Sequence, residues 1–310
     1  MLNKLKNNKL YYLYKLVEID IHKKYSYKKI ESYVNKQYKK IFGRNIDWEN
    51  PKTYNEKLCV SKIYGCNKLK SELTDKITVR NWIKEKIGAE YLIPIIGVYD
   101  KFDDIDFEKL PDKFVMKMNN DSGSVYVCED KTKIDMSKLR DKFNYYIKRN
   151  FAYLYFEMHY SNIKPKIIIE KFMGTAINDY KFLCFNGKIV SIRVDYDRFG
   201  DHKRNFYDLN WNLLPFNKGN FRNYMVNDKP SNLDEMKSIV EKISSGFDQI
   251  RIDLYDINNK VYFGETTFTN GAGLEKFEPD IWDEKIGKMW KFNNNLRGKN
   301  LKNKQNNERK

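Results

Sequence analysis

The stretch Arg251–Gly271 constrains this chain most: two runs of β-forming residues, Ile250 to Tyr255 and Val261 to Thr267, flank a polar turn at Asn258-Asn259-Lys260. Such a pattern predicts an antiparallel hairpin. Side chains alternate along a strand with a period of two, so the length of the turn decides what the hairpin can do. A two-residue loop sends Asp253 and Glu265 to opposite faces. A three-residue loop sets Asp253 opposite Glu265 and Arg251 opposite Thr267 on one face, leaving Ile252 and Leu254 for a core on the other. Asn tolerates the left-handed backbone that such a loop needs. Two carboxylates a few ångströms apart shift each other's pKa unless a cation bridges them, and oxygen ligands of this kind suit Mg²⁺. On spacing alone, a solvated hairpin with charged residues on its wet face fits equally well.

The 310 residues suffice for a full core. A net charge of +16 suggests a nucleic-acid binder until its location is considered. Residues 1–44 carry twelve Lys/Arg against three acids and residues 293–310 six against one, leaving 40 basic and 38 acidic residues on the body. A nearly neutral body with basic ends suits a soluble enzyme held near an anionic membrane or polyanion better than a nucleic-acid fold, so no nucleic acid is expected. Residues 1–44 read as helix with Leu5, Leu10, Leu13, Leu16, Val17 and Ile21 on a loosely apolar face. That face can lie on an anionic bilayer, dock on a partner helix or pack on the body. The four cysteines lack metal-site or disulfide spacing and no apolar run reaches a membrane span, which points to a cytoplasmic protein, peripheral to the membrane at most.

Several further stretches carry chemistry. Thr53 with Glu56 three residues on forms a capping box at a helix start. Asp75-Lys76 opens a helical run to Ile87. The strand Lys113–Met118, the loop Asn119–Ser124 and the strand Val125–Cys128 can fold over a triphosphate, with Lys117 as a point charge and Ser122, Gly123 and Ser124 as donors. Read plainly, they are a hairpin with a solvated lysine. A helical stretch from Met136 to about Phe156 precedes a buried strand, Lys166–Met173. Asn186-Gly187 marks a hairpin across Asp179–Asp195. Arg198, His202, Lys203 and Arg204 cluster basic donors among aromatics, a combination suited to an anionic sugar ring. An amphipathic helix from Met236 to Phe247 leads into the Arg251 hairpin, Thr269–Gly273 forms a tight turn, and Trp282–Trp290 closes the body.

Arg-x-Asp, the hairpin and Glu265, together with Asn50-Pro-Lys-Thr-Tyr-Asn-Glu-Lys57 and Asp179-Tyr-Lys-Phe-Leu-Cys-Phe-Asn-Gly-Lys188, resemble the TupA-like ATP-grasp family, which is found among cell-surface polysaccharide genes. The resemblance covers roughly Asn50 to Phe292. It implies an α+β ATP-grasp fold whose two subdomains, about 75–170 and 171–292, clamp ATP. A helical segment, 1–49, would precede them, and a disordered basic tail, 293–310, would follow. It also implies a carboxylate–amine ligase working through an acyl phosphate. Lys76 and Lys117 would neutralise the triphosphate, while Glu170, Lys171 and Met173 would form the hinge that reads adenine. Asp179, with Lys181 on its face, would hold the ribose. Asp253 and Glu265 would hold Mg²⁺, with Thr267 where the family commonly has Asn, and Arg251 would stabilise the acyl phosphate. The loop at Gly123 is poorer in glycine than the family's. The implied substrates are a uronic-acid-containing polysaccharide or precursor and an amino acid or other amine, with Arg198, His202, Lys203 and Arg204 binding the anionic sugar. A glycosyltransferase using Asp195-x-Asp197 with a nucleotide sugar, or a polysaccharide kinase, is the rival.

Overall fold

The computed structural model describes residues 9–174, 177–196, 202–219 and 228–298. Two helices lead: α1, Lys9–Lys23, and α2, Tyr27–Phe42. The single helix expected over 1–44 breaks because Ser26 takes an extended backbone and accepts a hydrogen bond from Lys29 N–H, capping α2. Helix α3, Tyr54–Tyr64, starts at the expected capping box: Thr53 Oγ1 accepts from Glu56 N–H at 3.3 Å and Glu56 Oε2 accepts from Thr53 N–H at 3.0 Å. The helical run expected from Asp75 to Ile87 begins as a turn after α4, Lys68–Thr74, and becomes helical only at α5, Val79–Lys86. Lys76 therefore sits on a bend, and its N–H donates to Asn119 O at 3.1 Å.

Two antiparallel sheets follow. The first has the order β1-β4-β2-β3, from β1 Ile95–Tyr99, β2 Phe114–Met118, β3 Tyr126–Cys128 and β4 Ile167–Lys171. Phe114, Met116, Met118, Ile167 and Ile169 turn one face into a core closed by Leu139 and Phe143 of α6, Met136–Lys148. Lys117 and Glu170 point to the other face, as alternation requires. The helical stretch expected to run to Phe156 stops at Arg149 and resumes as the single turn α7, Ala152–Tyr155.

The second sheet has the order β10-β9-β5-β6-β7. Its strands are β5 Asn178–Phe185, β6 Lys188–Tyr196, β7 Lys203–Tyr207, β9 Gln249–Ile257 and β10 Lys260–Thr267. A short strand β8, Asn217–Lys218, pairs with β11, Phe277–Glu278. Asn186 and Gly187 both adopt positive φ, the tight β5–β6 turn that the dipeptide predicts. One face carries Tyr180, Phe182, Ile192, Val194, Ile252 and Leu254 and packs on Met236, Ile239, Val240 and Ile243 of α8, Leu233–Ser244. The other face carries charge. It is covered by α3, by the turn Asn270–Gly273 and by α9, Ile281–Met289. Lys57 and Lys62 of α3, both buried, clamp that cover: Lys57 Nζ donates to Gly287 O and Trp290 O at 2.7 and 2.9 Å, and Lys62 Nζ to Ala272 O at 2.8 Å. At the C-terminal end, the segment read as an uncored tail from residue 293 begins with Arg297 paired to Glu31, its Nε 2.5 Å from Oε1. Residues 299–310 lie outside the described residues.

Candidate active site between the two sheets

The β9–β10 hairpin delivers the expected constellation by a different device. Its loop is two residues, Asn258 and Asn259, with φ of 54° and 59°, and Ile257 pairs with Lys260. Continued regularly, that register would place Glu265 opposite Ile252, on the core face. A β-bulge between Phe263 and Glu265 takes up Gly264 and restores Asp253 opposite Glu265 and Arg251 opposite Thr267. Only glycine fits there without displacement. A Cβ on Gly264 would lie 3.0 Å from the Asp253 carbonyl oxygen and 3.0 Å from the Tyr255 ring.

The charges on this face neutralise one another. Arg251 donates from Nε and Nη2 to both oxygens of Asp253, at 2.6 and 2.7 Å, and from Nη2 to Glu265 Oε1 at 3.1 Å. Lys181 Nζ donates to Asp253 Oδ2 at 2.6 Å and also to Asp179. Burial pushes the Asp253 carboxyl up, but the adjacent Arg251 and Lys181 charges outweigh it and bring the pKa to about 2. Glu265 is the more open of the two carboxylates, with Lys76 Nζ 3.8 Å from Oε2. Thr267 Oγ1 lies 3.5 Å from Glu265 Oε1. Asp253 and Glu265 thus share one guanidinium nitrogen, near enough for a single cation to replace it. Among the described residues no cluster of three or more His, Cys, Asp or Glu could hold a metal. Two carboxylates suit Mg²⁺ that enters with phosphate oxygens as its remaining ligands, so the donor set fits that ion.

Three adjoining spaces share lining residues across the site. A cleft of about 290 Å³ between the sheets is bordered by Lys117, Glu170, Lys171, Met173 and Asp179. It adjoins a neck lined by Lys76, Lys117, Ser122, Gly123 and Glu265. The neck adjoins, at Ser122 and Glu265, an outer cavity of about 360 Å³ that Arg251 and Thr267 border. Lys117 Nζ pairs with Glu170 Oε2 at 2.6 Å, and Lys76 Nζ donates to Asp121 O at 2.5 Å. Ser122 and Gly123 are exposed on the loop, whereas Ser124 is fully buried. Ser124 also borders the neck, and its hydroxyl accepts from Met118 N–H at 3.1 Å and donates to Asp121, which shapes the loop.

The basic donors expected on one substrate loop have different surroundings. Arg198 and Asp197 lie outside the described residues. Arg204 is buried on β7, donating to Asp195 Oδ1 at 2.7 Å and to Lys218 O at 2.9 Å. His202 Nε2 lies 3.2 Å from the same Asp195 oxygen, and Lys203 begins β7 exposed. Asp195 also pairs with Arg193 at 3.0 Å. Burial raises its carboxyl pKa, but Arg193, Arg204 and Lys181 hold it far below the usual carboxylate range. Asp195 is thus held by several cations, as Asp253 is, and its expected partner Asp197 lies outside the described residues.

Sequence reasoning missed Tyr255, which borders both the cleft and the neck. Alternation from Arg251 and Asp253 would have found it. The same rule along β6, whose Ile192 and Val194 face the core, would have placed Arg193 on the charged face. Glu157 and Tyr160, which border the outer cavity, had no periodic signal because they follow the break after α7.

The profile of the TupA-like ATPgrasp family matches residues 56–291. No curated protein matches the chain. Among solved structures, D-alanine–D-alanine ligase from Bacillus anthracis complexed with ATP is 16% identical, with a TM-score of 0.37 over 65% of this chain and 56% of that one. L-amino acid ligase from Bacillus licheniformis is 13% identical, with a TM-score of 0.40 over 66% of this chain and 42% of that one. The chain spans about half the length of these enzymes. With more than half of its residues inside the family profile, this chain belongs to the TupA-like ATP-grasp family.

Proposed function

We propose that this protein is an ATP- and Mg²⁺-dependent carboxylate–amine ligase. The carrying observation is the row of adjoining spaces from the inter-sheet cleft past the Lys76–Lys117 neck to Arg251. Adenine and ribose sit between the sheets, against Glu170, Lys171 and Met173, with Asp179 toward the ribose. Lys117 and Lys76 turn from Glu170 and Glu265 to the phosphates, which offer more negative charge than the carboxylates they now pair with. The exposed Ser122 and Gly123 donate from the loop above. Mg²⁺, held by Glu265 and Asp253 with Thr267 beside them, would supply charge neutralisation at the phosphates. Arg251, freed from one carboxylate as the cation enters, turns to the oxygens of the substrate carboxyl and stabilises the acyl phosphate and the oxyanion that follows.

The family's setting and the basic side chains near the site favour a uronic-acid-containing surface polysaccharide, or its precursor, as the carboxylate substrate. His202 and Lys203 remain candidates to meet it, while Arg204 acts through Asp195. The test is ADP release from ATP with glucuronate or galacturonate, with and without an amino acid, with the product mass measured. ADP release that requires both partners, and a product lighter by one water than their sum, is expected. A polysaccharide kinase would release ADP with no amine requirement and give a product heavier by a phosphoryl group. A glycosyltransferase would be indifferent to ATP.

A further inference from the structure

The outer cavity has a wall that the ATP reaction does not use. Beyond Arg251 and Glu265 it is built from Glu157, Glu275 and the rings of Phe151, Tyr155 and Tyr160. Glu157 is 7% exposed and accepts a hydrogen bond from the Thr269 hydroxyl. It is held there by a strained backbone: Phe156, just before it, adopts φ 58°, a conformation that costs a bulky residue about 1–2 kcal/mol. Full burial of the Phe156 ring among His22, Tyr25 and Tyr33, at centroid distances of 5.2, 6.2 and 5.4 Å, fixes that conformation. The strain aims a carboxylate at the cavity. Burial raises the Glu157 carboxyl pKa, against the pull of the Thr269 hydroxyl and Lys62. Tyr160 and Glu265 border the same cavity as Glu157.

Resting on the ligase reading, we infer that this cavity binds the amine substrate as a primary ammonium, with Glu157 as its counter-ion and proton acceptor. About 360 Å³ suits a small amino compound, and the aromatic wall attracts a cation as well as an apolar stem. The ammonium gives one proton to the Glu157 carboxylate. The nitrogen lone pair then forms the C–N bond to the acyl carbon as the C–O bond to phosphate breaks. Phosphate leaves with that electron pair and takes the second nitrogen proton.

Glu157→Gln keeps an acceptor for the Thr269 hydroxyl and so preserves the fold. Hydroxylamine, which is uncharged at neutral pH, needs no base. The variant should therefore trap acyl phosphate as hydroxamate from ATP and glucuronate at the wild-type rate, while amide formation with L-alaninamide falls at least tenfold. Calorimetric binding of L-alaninamide should weaken at least tenfold, with affinity for a non-hydrolysable ATP analogue unchanged. Equal amide formation or equal L-alaninamide binding by the variant and wild type would overturn the assignment of Glu157. Wild-type protein that binds L-alaninamide in a Glu157-dependent way yet forms no hydroxamate would overturn the ligase reading and leave the amine site standing.

A separate observation concerns α1. Tyr12, Ile19 and His22 face the body, Tyr12 stacked on Tyr145 at 4.5 Å and His22 Nδ1 lying 2.8 Å from Tyr153 O. On the opposite side Leu10, Leu13, Tyr14, Val17 and Ile21 are 74, 54, 64, 59 and 50% exposed. At 3.6 residues per turn these five fall within an arc of about 100°. These apolar positions thus form a solvent-facing stripe. Lys9, Lys23, Lys24, Lys28 and Lys29 are exposed around it, in a segment where residues 1–44 carry twelve basic and three acidic residues. Apolar stripe and positive charge together match an anionic bilayer, and we propose that α1 lies on such a surface. No helix among the described residues is long and apolar enough to cross a membrane.

Sedimentation with vesicles tests this. The protein should pellet with phosphatidylcholine–phosphatidylglycerol vesicles and not with phosphatidylcholine alone. The double substitution Leu13→Ser with Val17→Ser should reduce pelleting at least fivefold without changing ATP-analogue affinity. Equal pelleting of the double variant, or no pelleting of wild type, would overturn the proposal. So would a wild-type dimer that the double variant disperses, since the stripe would then be covered by a second copy.

Discussion

Replacing Gly264 with Ala tests how the hairpin builds its site. The new Cβ would stand 3.0 Å from the Asp253 carbonyl oxygen and 3.0 and 3.1 Å from Tyr255 ring carbons, inside ordinary van der Waals contact. The oxygen is backbone in a paired strand and cannot give without moving the bulge. Overpacking of this kind costs about 1–3 kcal/mol, and at roughly 2–4 °C per kcal/mol for chains of comparable size the melting temperature should fall by at least about 2 °C. The functional effect should be larger. Glu265 reaches Asp253 only through the bulge, and a displacement of about 1 Å in a catalytic group can cost on the order of 100-fold in rate. Thermal unfolding by circular dichroism and ATP turnover would be measured on the same preparation. A variant with wild-type melting temperature and turnover would refute the claim that Gly264 sets the register of the site.

Two further outcomes follow from the same geometry. Asn259→Gly should stabilise the protein by roughly 0.5–1 kcal/mol with activity unchanged, because φ of 59° strains a side chain and not glycine; urea unfolding reads this, and a loss of stability would contradict the two-residue turn. Glu157 has a raised folded-state pKa, so its contribution to stability is present below the unfolded value of about 4.3 and is lost as pH rises through the folded one. Glu157→Gln should therefore be at least as stable as wild type at pH 8, with the difference closing as pH falls toward 4; a variant less stable at pH 8 would show that the carboxylate is not strained there.

Much of this architecture was legible because period-two patterns and turn dipeptides are local. Asn186-Gly187, the capping box at Thr53 and the alternation through Arg251 and Asp253 each carry their own structural instruction. The bulge at Gly264 was not legible, since a bulge differs from a three-residue loop only in where the extra residue is absorbed, and both satisfy the same face pattern. The orientation of α1 was left open for a related reason: the helix is apolar on two sides, and periodicity alone does not say which side the body covers. Arg204 reads as a loop cation until the Asp195 opposite it in register is known. Glu157 and Tyr160 sit past a helix break, where position depends on the packing of a distant aromatic cluster around Phe156.

The most direct measurement is a calorimetric titration with Mg²⁺ and a non-hydrolysable ATP analogue, run on wild type, Lys117→Ala and Glu265→Gln, beside a panel of UDP-sugars. Saturable one-site binding that Lys117→Ala weakens at least tenfold, and that loses its Mg²⁺ dependence in Glu265→Gln, is the predicted result. Binding of a UDP-sugar with no response to the ATP analogue, or analogue binding indifferent to both substitutions, would contradict a nucleotide site between the two sheets.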